Sequence, residues 1–353
     1  MIILCSILVF GFHSDFWNLG KTEVYAFPMV LVTTDSVIMK ESGTKVVWRF
    51  DKKTREKTEL SRLGEAPHEF NSPYIKIMGD AQSVWLDVIG QNKVIEFKDS
   101  GDFVRSMQVP SDLFHLWKVP DGWLAMTGLT AGSWDKPTCL VFCNDDFSTR
   151  EELHCWDSEE ERGSAFALNP RLLLYDPSMS RTMTLPFSDH RYLAVQIANL
   201  DTFYIFDTRT RTLKLEKKVI YPRVKFDREW GEKELEKENK FMPAGLKQKA
   251  HFPDYFPRIK FVVGTEWDHV RIHRWNIASE KDQYITYDLA GNAVAEHELA
   301  KCSYPIVKIE GEMVYFLFLQ DDESWSVGKL SITELLELHK AKPFKFEFST
   351  SEK

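Results

Sequence analysis

The segment His269-Val-Arg-Ile-His-Arg-Trp275 alternates polar or aromatic with aliphatic residues. As a β-strand it places His269, Arg271, His273 and Trp275 on one face and Val270 and Ile272 on the other. A face of two imidazoles, a guanidinium and an indole could grip an anion, a sugar or a carboxylate. Two histidines on one strand face could also supply metal ligands. The structural alternative is a solvated or packed face with Trp275 buried.

Other motifs that carry chemistry are absent or plain. There is no glycine-rich phosphate loop, no Gly-x-Ser-x-Gly elbow and no His-Glu-x-x-His. The paired carboxylates Asp145-Asp146 and Asp321-Asp322 fall where hairpin turns are expected, and turn chemistry accounts for them. The five cysteines, Cys5, Cys139, Cys143, Cys155 and Cys302, are too few to form a disulfide framework in 353 residues. Cys139 and Cys143 lie four apart in Thr138-Cys-Leu-Val-Phe-Cys143, which reads as a strand. They then share a face at a separation of about 13 Å, too far for a bridge or a shared metal. They read as small buried side chains. If Cys5 is removed with a leader, one pair such as Cys143 with Cys155 remains open.

The net charge of −8, with basic residues scattered among carboxylates, argues against phosphate-backbone binding, so nucleic acid is not an expected partner. Residues 2–10, Ile-Ile-Leu-Cys-Ser-Ile-Leu-Val-Phe, are too short to span a bilayer. They suit the apolar centre of a secretory signal although no Lys or Arg precedes them, and Val24-Tyr-Ala26 offers a small-residue cleavage site. The competing reading of residues 1–22 is a first or closing strand.

These residues need a scaffold, and the chain repeats. An apolar extended segment ends in an aromatic followed by a polar residue and a turn. It recurs at Val46-Val-Trp-Arg-Phe50-Asp51, Val94-Ile-Glu-Phe97-Lys98, Leu140-Val-Phe142-Cys-Asn144, Phe203-Tyr-Ile-Phe206-Asp207 and Tyr284-Ile-Thr-Tyr287-Asp288. Phe50 to Phe97 is 47 residues and Phe97 to Phe142 is 45, the length of a four-stranded propeller blade. The longer gaps contain an acidic loop at 157–162 and a charged segment at 227–242 with helical i, i+4 pairs, Glu229–Lys233 and Glu236–Lys240. A sixth unit follows from Tyr304, with the alternating tail Phe344-Lys-Phe-Glu-Phe348 as its fourth or closing strand and helical spacing between Ile332 and His339. The pattern predicts an all-β, six-bladed β-propeller over 23–353, its blades four-stranded and antiparallel. A helical insertion is expected between blades 4 and 5.

Gly64-Glu-Ala-Pro67-His-Glu69-Phe70-Asn-Ser-Pro73 and the segments that follow to Arg105 resemble one blade of the NHL-type propellers. Two glycines of that family's junction are replaced here by Ala66 and His68. Phe252-Pro-Asp-Tyr-Phe-Pro257 through Gly291 is similar to later blades of bacterial six-bladed propellers. The resemblance implies a ligand site at a channel mouth. On that template the candidates are Tyr74 and Arg258 after the junction prolines, Asp87 and Asn92 around the second-blade turn, and His269, Arg271, His273 and Trp275. Taken with the apolar N-terminal segment, the sequence reads as a monomeric, extracytoplasmic, non-catalytic module for a protein or small-molecule ligand, with no cofactor and no transmembrane span. The rival reading is a metal-dependent lactonase- or lyase-like enzyme, with a divalent ion such as calcium in the channel.

Overall fold

The computed structural model describes residues 15–21, 28–40, 45–72, 75–79, 82–88, 90–127, 138–156, 174–175, 183–187, 191–196, 201–240, 249–250, 252, 254–264, 269–274, 281–300, 306–310, 313–320 and 324–341. Six four-stranded antiparallel sheets, the blades of a β-propeller, account for nearly all of them.

The opening strand β1 (Asp15–Lys21) is followed by blade 1, made of β2 (Met29–Val32), β3 (Ser36–Lys40), β4 (Val46–Asp51) and β5 (Lys57–Arg62). Blade 2 comprises β6 (Ile75–Gly79), β7 (Ser83–Val88), β8 (Lys93–Lys98) and β9 (Phe103–Gln108). Blade 3 comprises β10 (Phe114–Val119), β11 (Gly122–Thr127), β12 (Thr138–Cys143) and β13 (Arg150–Trp156). After the short β14 (Leu174–Tyr175) comes blade 4, β15 (Met183–Phe187), β16 (Tyr192–Gln196), β17 (Thr202–Asp207) and β18 (Thr212–Lys218). Helix α1 (Arg228–Lys240) and β19 (Lys249–Ala250), which pairs in parallel with β14, precede blade 5. That blade contains β20 (Ile259–Gly264), β21 (His269–Arg274), β22 (Lys281–Asp288) and β23 (Ala293–Ala300). Blade 6 contains β24 (Ile306–Glu310), β25 (Met313–Leu319) and β26 (Ser324–Ser331), and helix α2 (Ile332–Ala341) follows it.

The chain divides into two compact units, residues 1–110 with 302–353 and residues 111–301. In the first, β2 runs beside β6 and β24, so the opening strands of blades 1, 2 and 6 are neighbours. Blades 6 and 1 bury Trp17, Val37, Met39, Phe50, Tyr315 and Trp325 together, and blades 1 and 2 bury Ile38, Phe70, Leu86, Ile95 and Phe97. In the second, Trp156, Tyr204 and Phe206 fill the layer between blades 3 and 4, while Tyr192, Phe203, Val270, Ile272 and Tyr287 fill that between blades 4 and 5. Burial of each such side chain stabilises by roughly 2–3 kcal/mol.

The repeated aromatic–polar signature marks the third strand of each of the first five blades, and its chemistry is local. The Asp51 Oδ1 atom accepts from the amides of Lys53 and Thr54, Asp207 Oδ1 from Arg209 and Thr210, and Asp288 Oδ1 from Ala290 and Asn292. In blade 3, Asn144 does the same for Thr149. Each side chain closes the third-to-fourth-strand turn by standing in for a backbone carbonyl. The register then shifts by a bulge in every one of these five pairings, adding twist.

The fourth strand of blade 6 is not the tail but comes from residues 1–22, the segment whose competing reading is a first or closing strand. It is β1, paired antiparallel with β26 from Asp15 opposite Lys329 to Lys21 opposite Ser324. Trp17 and Leu19 are buried, and Trp17 stacks on Tyr315 at 6.1 Å. The edge assigned to the tail is therefore occupied by the other end of the chain; Phe344 to Phe348, like residues 1–14, lie outside the described residues. Cleavage after Ala26 would remove β1 from its sheet, so that site does not fit this structure. Both helices have capped starts. Asp227 accepts from the Trp230 amide at α1, and Ser331 and Glu334 exchange hydrogen bonds at α2. Helix α1 is held by an aromatic cluster of Phe226, Trp230 and Phe256. Gly231 is required there, because a Cβ would lie 2.7 Å from the Phe226 ring. The expected Glu229–Lys233 pair forms at 2.8 Å. No helix among the described residues is long and apolar enough to cross a membrane.

Candidate functional site

Strand β21 keeps the alternation read from its sequence. Val270 and Ile272 point into the core shared with blade 4, beside Ile285 and Tyr287 of β22. His269, Arg271 and His273 therefore occupy the opposite face of blade 5, with Thr286 in register with Arg271 and Tyr284 with His273. His273 is buried and stacks on Tyr284, 4.6 Å between ring centres and 16° from parallel. The Arg271 guanidinium lies 6.0 Å from the same ring.

Arg271 Nε and Thr286 Oγ1 are buried without a hydrogen-bond partner among the described residues. Burial lowers the Arg271 pKa from its ordinary value, and the nearest electrostatic influence is Tyr284 rather than a carboxylate. The other largely buried arginines contrast with it. Each has a carboxylate within ion-pair distance, Arg49 with Asp51, Arg258 with Asp201 and Arg274 with Glu296, although Arg274 Nε, like that of Arg271, is buried without a hydrogen bond. An unmatched guanidinium in a shielded place is costly unless an anion completes it. Tyr284 and Thr286 escaped the sequence reading because they become neighbours only through cross-strand register.

Arg258 is committed elsewhere. Its guanidinium contacts the Asp201 carboxylate, its amide donates to Asp201 Oδ1 at 3.0 Å, and its Nε donates to the Tyr221 carbonyl at 2.6 Å. Arg223 reaches the same carboxylate at 2.6 Å, and the Tyr221 hydroxyl donates to the Arg258 carbonyl. Burial raises the Asp201 carboxyl, but the Arg223 and Arg258 hydrogen bonds and charges outweigh it and hold the group below the usual carboxylate range.

Asp87 and Asn92 belong to blade 2, in the first unit. Asn92 takes a positive φ of 51° in the β7–β8 turn, a conformation asparagine tolerates. Asp87 stands opposite Lys76 across β6 and β7. Burial pushes the Asp87 carboxyl up and the Lys76 ammonium down, each opposed by the other's charge. Removing one partner should therefore expose the cost of the other. Lys76→Met is expected to lower stability by about 2 kcal/mol at pH 7.5. The loss should shrink as the pH falls towards 5, because a carboxyl whose folded pKa is raised gains stability on protonation. Lys76→Met/Asp87→Asn should lack this pH dependence; urea melts of both variants across that range provide the comparison. Tyr74 and Trp275 lie outside the described residues.

Among the described residues, one group of three potential metal donors converges: Cys139, Glu152 and Cys155. Cys139 and Cys155 are joined in a disulfide, however, leaving no thiolate pair to coordinate. The structure thus pairs Cys155 with Cys139 in place of Cys143. Register explains it: Cys139 stands opposite Cys155, while Cys143 stands opposite Arg150. Of the carboxylate pairs, Asp145 and Asp146 lie in the β12–β13 turn as expected, Asp146 accepting from the Ser148 amide and Asp145 pairing with Lys118. Asp321 and Asp322 are outside the described residues.

No protein-family model matches the chain, and no curated protein does. Among solved structures it is similar to a presumptive exported protein of Bacteroides fragilis, at 9% identity over 90% of this chain and 95% of that one, with a TM-score of 0.53. It is also similar to a member of the DUF4221 family from Bacteroides vulgatus, at 7% identity over 91% and 97%, with a TM-score of 0.55. At such identities the likeness extends to the fold alone, a six-bladed β-propeller, and a propeller fold does not define an activity.

Proposed function

We propose that this chain is a non-catalytic, extracytoplasmic propeller module that binds an anionic small molecule, a carboxylate being the best match, on the Arg271 face of blade 5. The observation that carries the reading is the half-buried Arg271, whose Nε is shielded from solvent and has no hydrogen-bond partner, with Thr286 in register across the strand pair and no carboxylate partner among the described residues. His269 and His273 flank it on the same strand, and Tyr284 provides an aromatic platform. Two features support export. The Cys139–Cys155 disulfide suits an oxidising compartment, and the similar Bacteroides fragilis protein is described as exported. Any leader would have to end before Asp15, since β1 is part of blade 6. The junction at residues 64–70 supports kinship with the NHL-type blades. There the Glu69 carboxylate accepts from the Ala66 amide and the Arg62 guanidinium.

The test separates binding from stability. In anion-free buffer Arg271→Met should unfold at the same or a higher urea midpoint than wild type, gaining up to about 1 kcal/mol from the loss of an unpaired buried charge. Titration with citrate, acetate and phosphate should stabilise the wild type, and Arg271→Met should lose that response by roughly tenfold or more in affinity. A variant that is strongly destabilised yet still responds to the anions would make Arg271 a structural residue and end this reading.

A further inference from the structure

A disulfide holds two thiols in reserve, and the side chains around it decide what those thiols can do once released. Cys139 of β12 stands opposite Cys155 of β13, and the next pair on the same face is Val141 with Glu152. The register shift between Leu140 and Val141 is what places Glu152 there. In an unbroken ladder Glu152 would stand opposite Phe142, on the face that packs into the layer between blades 3 and 4. With the bulge, one donor atom from each of Cys139, Glu152 and Cys155 lies within 4.8 Å of the others. Arg211 takes the neighbouring carboxylate, Glu151, at 3.4 Å, and Glu152 makes no ion pair among the described residues.

The nearby alternatives do not join this set. Cys143 shares the face but stands opposite Arg150, roughly 13 Å along the strand from Cys139. His154 points the other way, its ring centre 4.8 Å from that of Trp156 and 5.6 Å from that of Tyr204. The donors are therefore two sulfurs and one carboxylate, with the exposed Glu152 leaving a fourth corner open to water. Such a mixture suits zinc, which takes sulfur at about 2.3 Å and carboxylate oxygen at about 2.0–2.2 Å. Magnesium and calcium seek oxygen and find only one carboxylate here. Two sulfurs on a tetrahedral zinc stand about 3.8 Å apart. Opposed strand residues have Cβ atoms about 4.5–5.5 Å apart and can span that distance without moving the backbone.

We propose that Cys139, Glu152 and Cys155 form a redox-gated zinc site: the S–S bond ties β12 to β13 when oxidised, and a zinc ion ties them when reduced. The exchange balances. A dithiol gives two electrons and two protons to the S–S bond, becoming a disulfide itself, and leaves Cys139 and Cys155 as thiols. Zinc then displaces both thiol protons and binds two thiolates, the Glu152 carboxylate and a water. The site belongs to blade 3 and stands apart from the Arg271 face of blade 5.

The test reduces the intact chain with a water-soluble phosphine, which leaves as its oxide, and removes excess reductant without air. Zinc, or cobalt(II) as its coloured substitute, is then titrated in. Reduced wild type should take up one ion per chain with a Kd below about 10 μM and release close to two protons. Cobalt should show the thiolate charge-transfer bands of a tetrahedral sulfur site. Zinc should also raise the urea midpoint of the reduced protein and leave that of the oxidised protein unchanged, which reports on the site even where reduction loosens blade 3. Glu152→Gln, at an exposed position, should weaken binding roughly tenfold or more. Cys139→Ala/Cys155→Ala keeps Cys5, Cys143 and Cys302 and should show neither uptake nor stabilisation. Three results would overturn the proposal: a reduced wild type that binds no better than this double variant, an oxidised protein that binds as well as the reduced one, or a Glu152→Gln titration that matches wild type.

Discussion

Asp201→Ala is expected to cost about 3 kcal/mol of unfolding free energy, read as a fall in the urea midpoint followed by tryptophan fluorescence. The reason is asymmetric. Asp201 is nearly inaccessible and serves three donors: the Arg258 amide, the Arg258 guanidinium and the Arg223 guanidinium. Truncation leaves a half-buried guanidinium at Arg258 and an unsatisfied amide at the entrance to blade 5. Arg223 is close to half-exposed and can turn to water, which keeps the cost below that of a wholly buried triad. Asp201→Asn keeps an acceptor and loses the charge, so its cost should fall between wild type and alanine. The pH dependence has a definite sign. A carboxyl held below its usual range contributes stability that is present above about pH 4 and lost as the pH falls through its lowered value. The gap between wild type and Asp201→Ala should therefore close in acid. A loss below about 1 kcal/mol at neutral pH would mean that the cluster is water-filled and carries little of the blade junction.

What the sequence revealed about this fold follows from how local each determinant is. The aromatic–Asp signature was legible because the carboxylate of Asp51, Asp207 or Asp288 acts within four residues of itself. Helix α1 was legible for the same reason: its cap at Asp227 and its Glu229–Lys233 pair are both local. The closure of blade 6 was legible only as one of several readings, because Trp17 meets Val327 across the whole chain, residues 1–22 also suited a secretory leader, and the alternating tail offered a strand nearer in sequence. The site divides along the same line. The polar face of β21 could be read from alternation alone. That Arg258 answers to Asp201, 57 residues earlier, while Arg271 has no carboxylate partner among the described residues, depends on tertiary packing. The same ambiguity governs Asp87, which reads as a turn-flanking acid but sits across a strand pair from Lys76.

Removing the Cys139–Cys155 bridge is expected to be comparably costly, and it bears on where the protein works. The bridge joins adjacent strands β12 and β13 at a sequence separation of 16. In the chain-entropy account a loop of that size contributes about 3 kcal/mol by restricting the unfolded chain. Cys139→Ala/Cys155→Ala should lose close to that amount. The wild type in a dithiol reductant should unfold like the variant, while the variant should ignore the reductant. Cys143 makes the comparison clean: it is buried, and burial raises its thiol pKa, so it is a poor thiolate for exchange in the folded state. Non-reducing peptide mapping of the native protein should accordingly recover a peptide pair linked through Cys139 and Cys155. A link through Cys143 would mean that β12 and β13 pair in another register, since Cys143 stands opposite Arg150 in this one. An outer strand held by a covalent tie is stabilised only where the tie stays oxidised. If blade 3 melts early under cytosolic reducing conditions and holds in oxidising ones, its stability and the proposed export are consequences of the same bond.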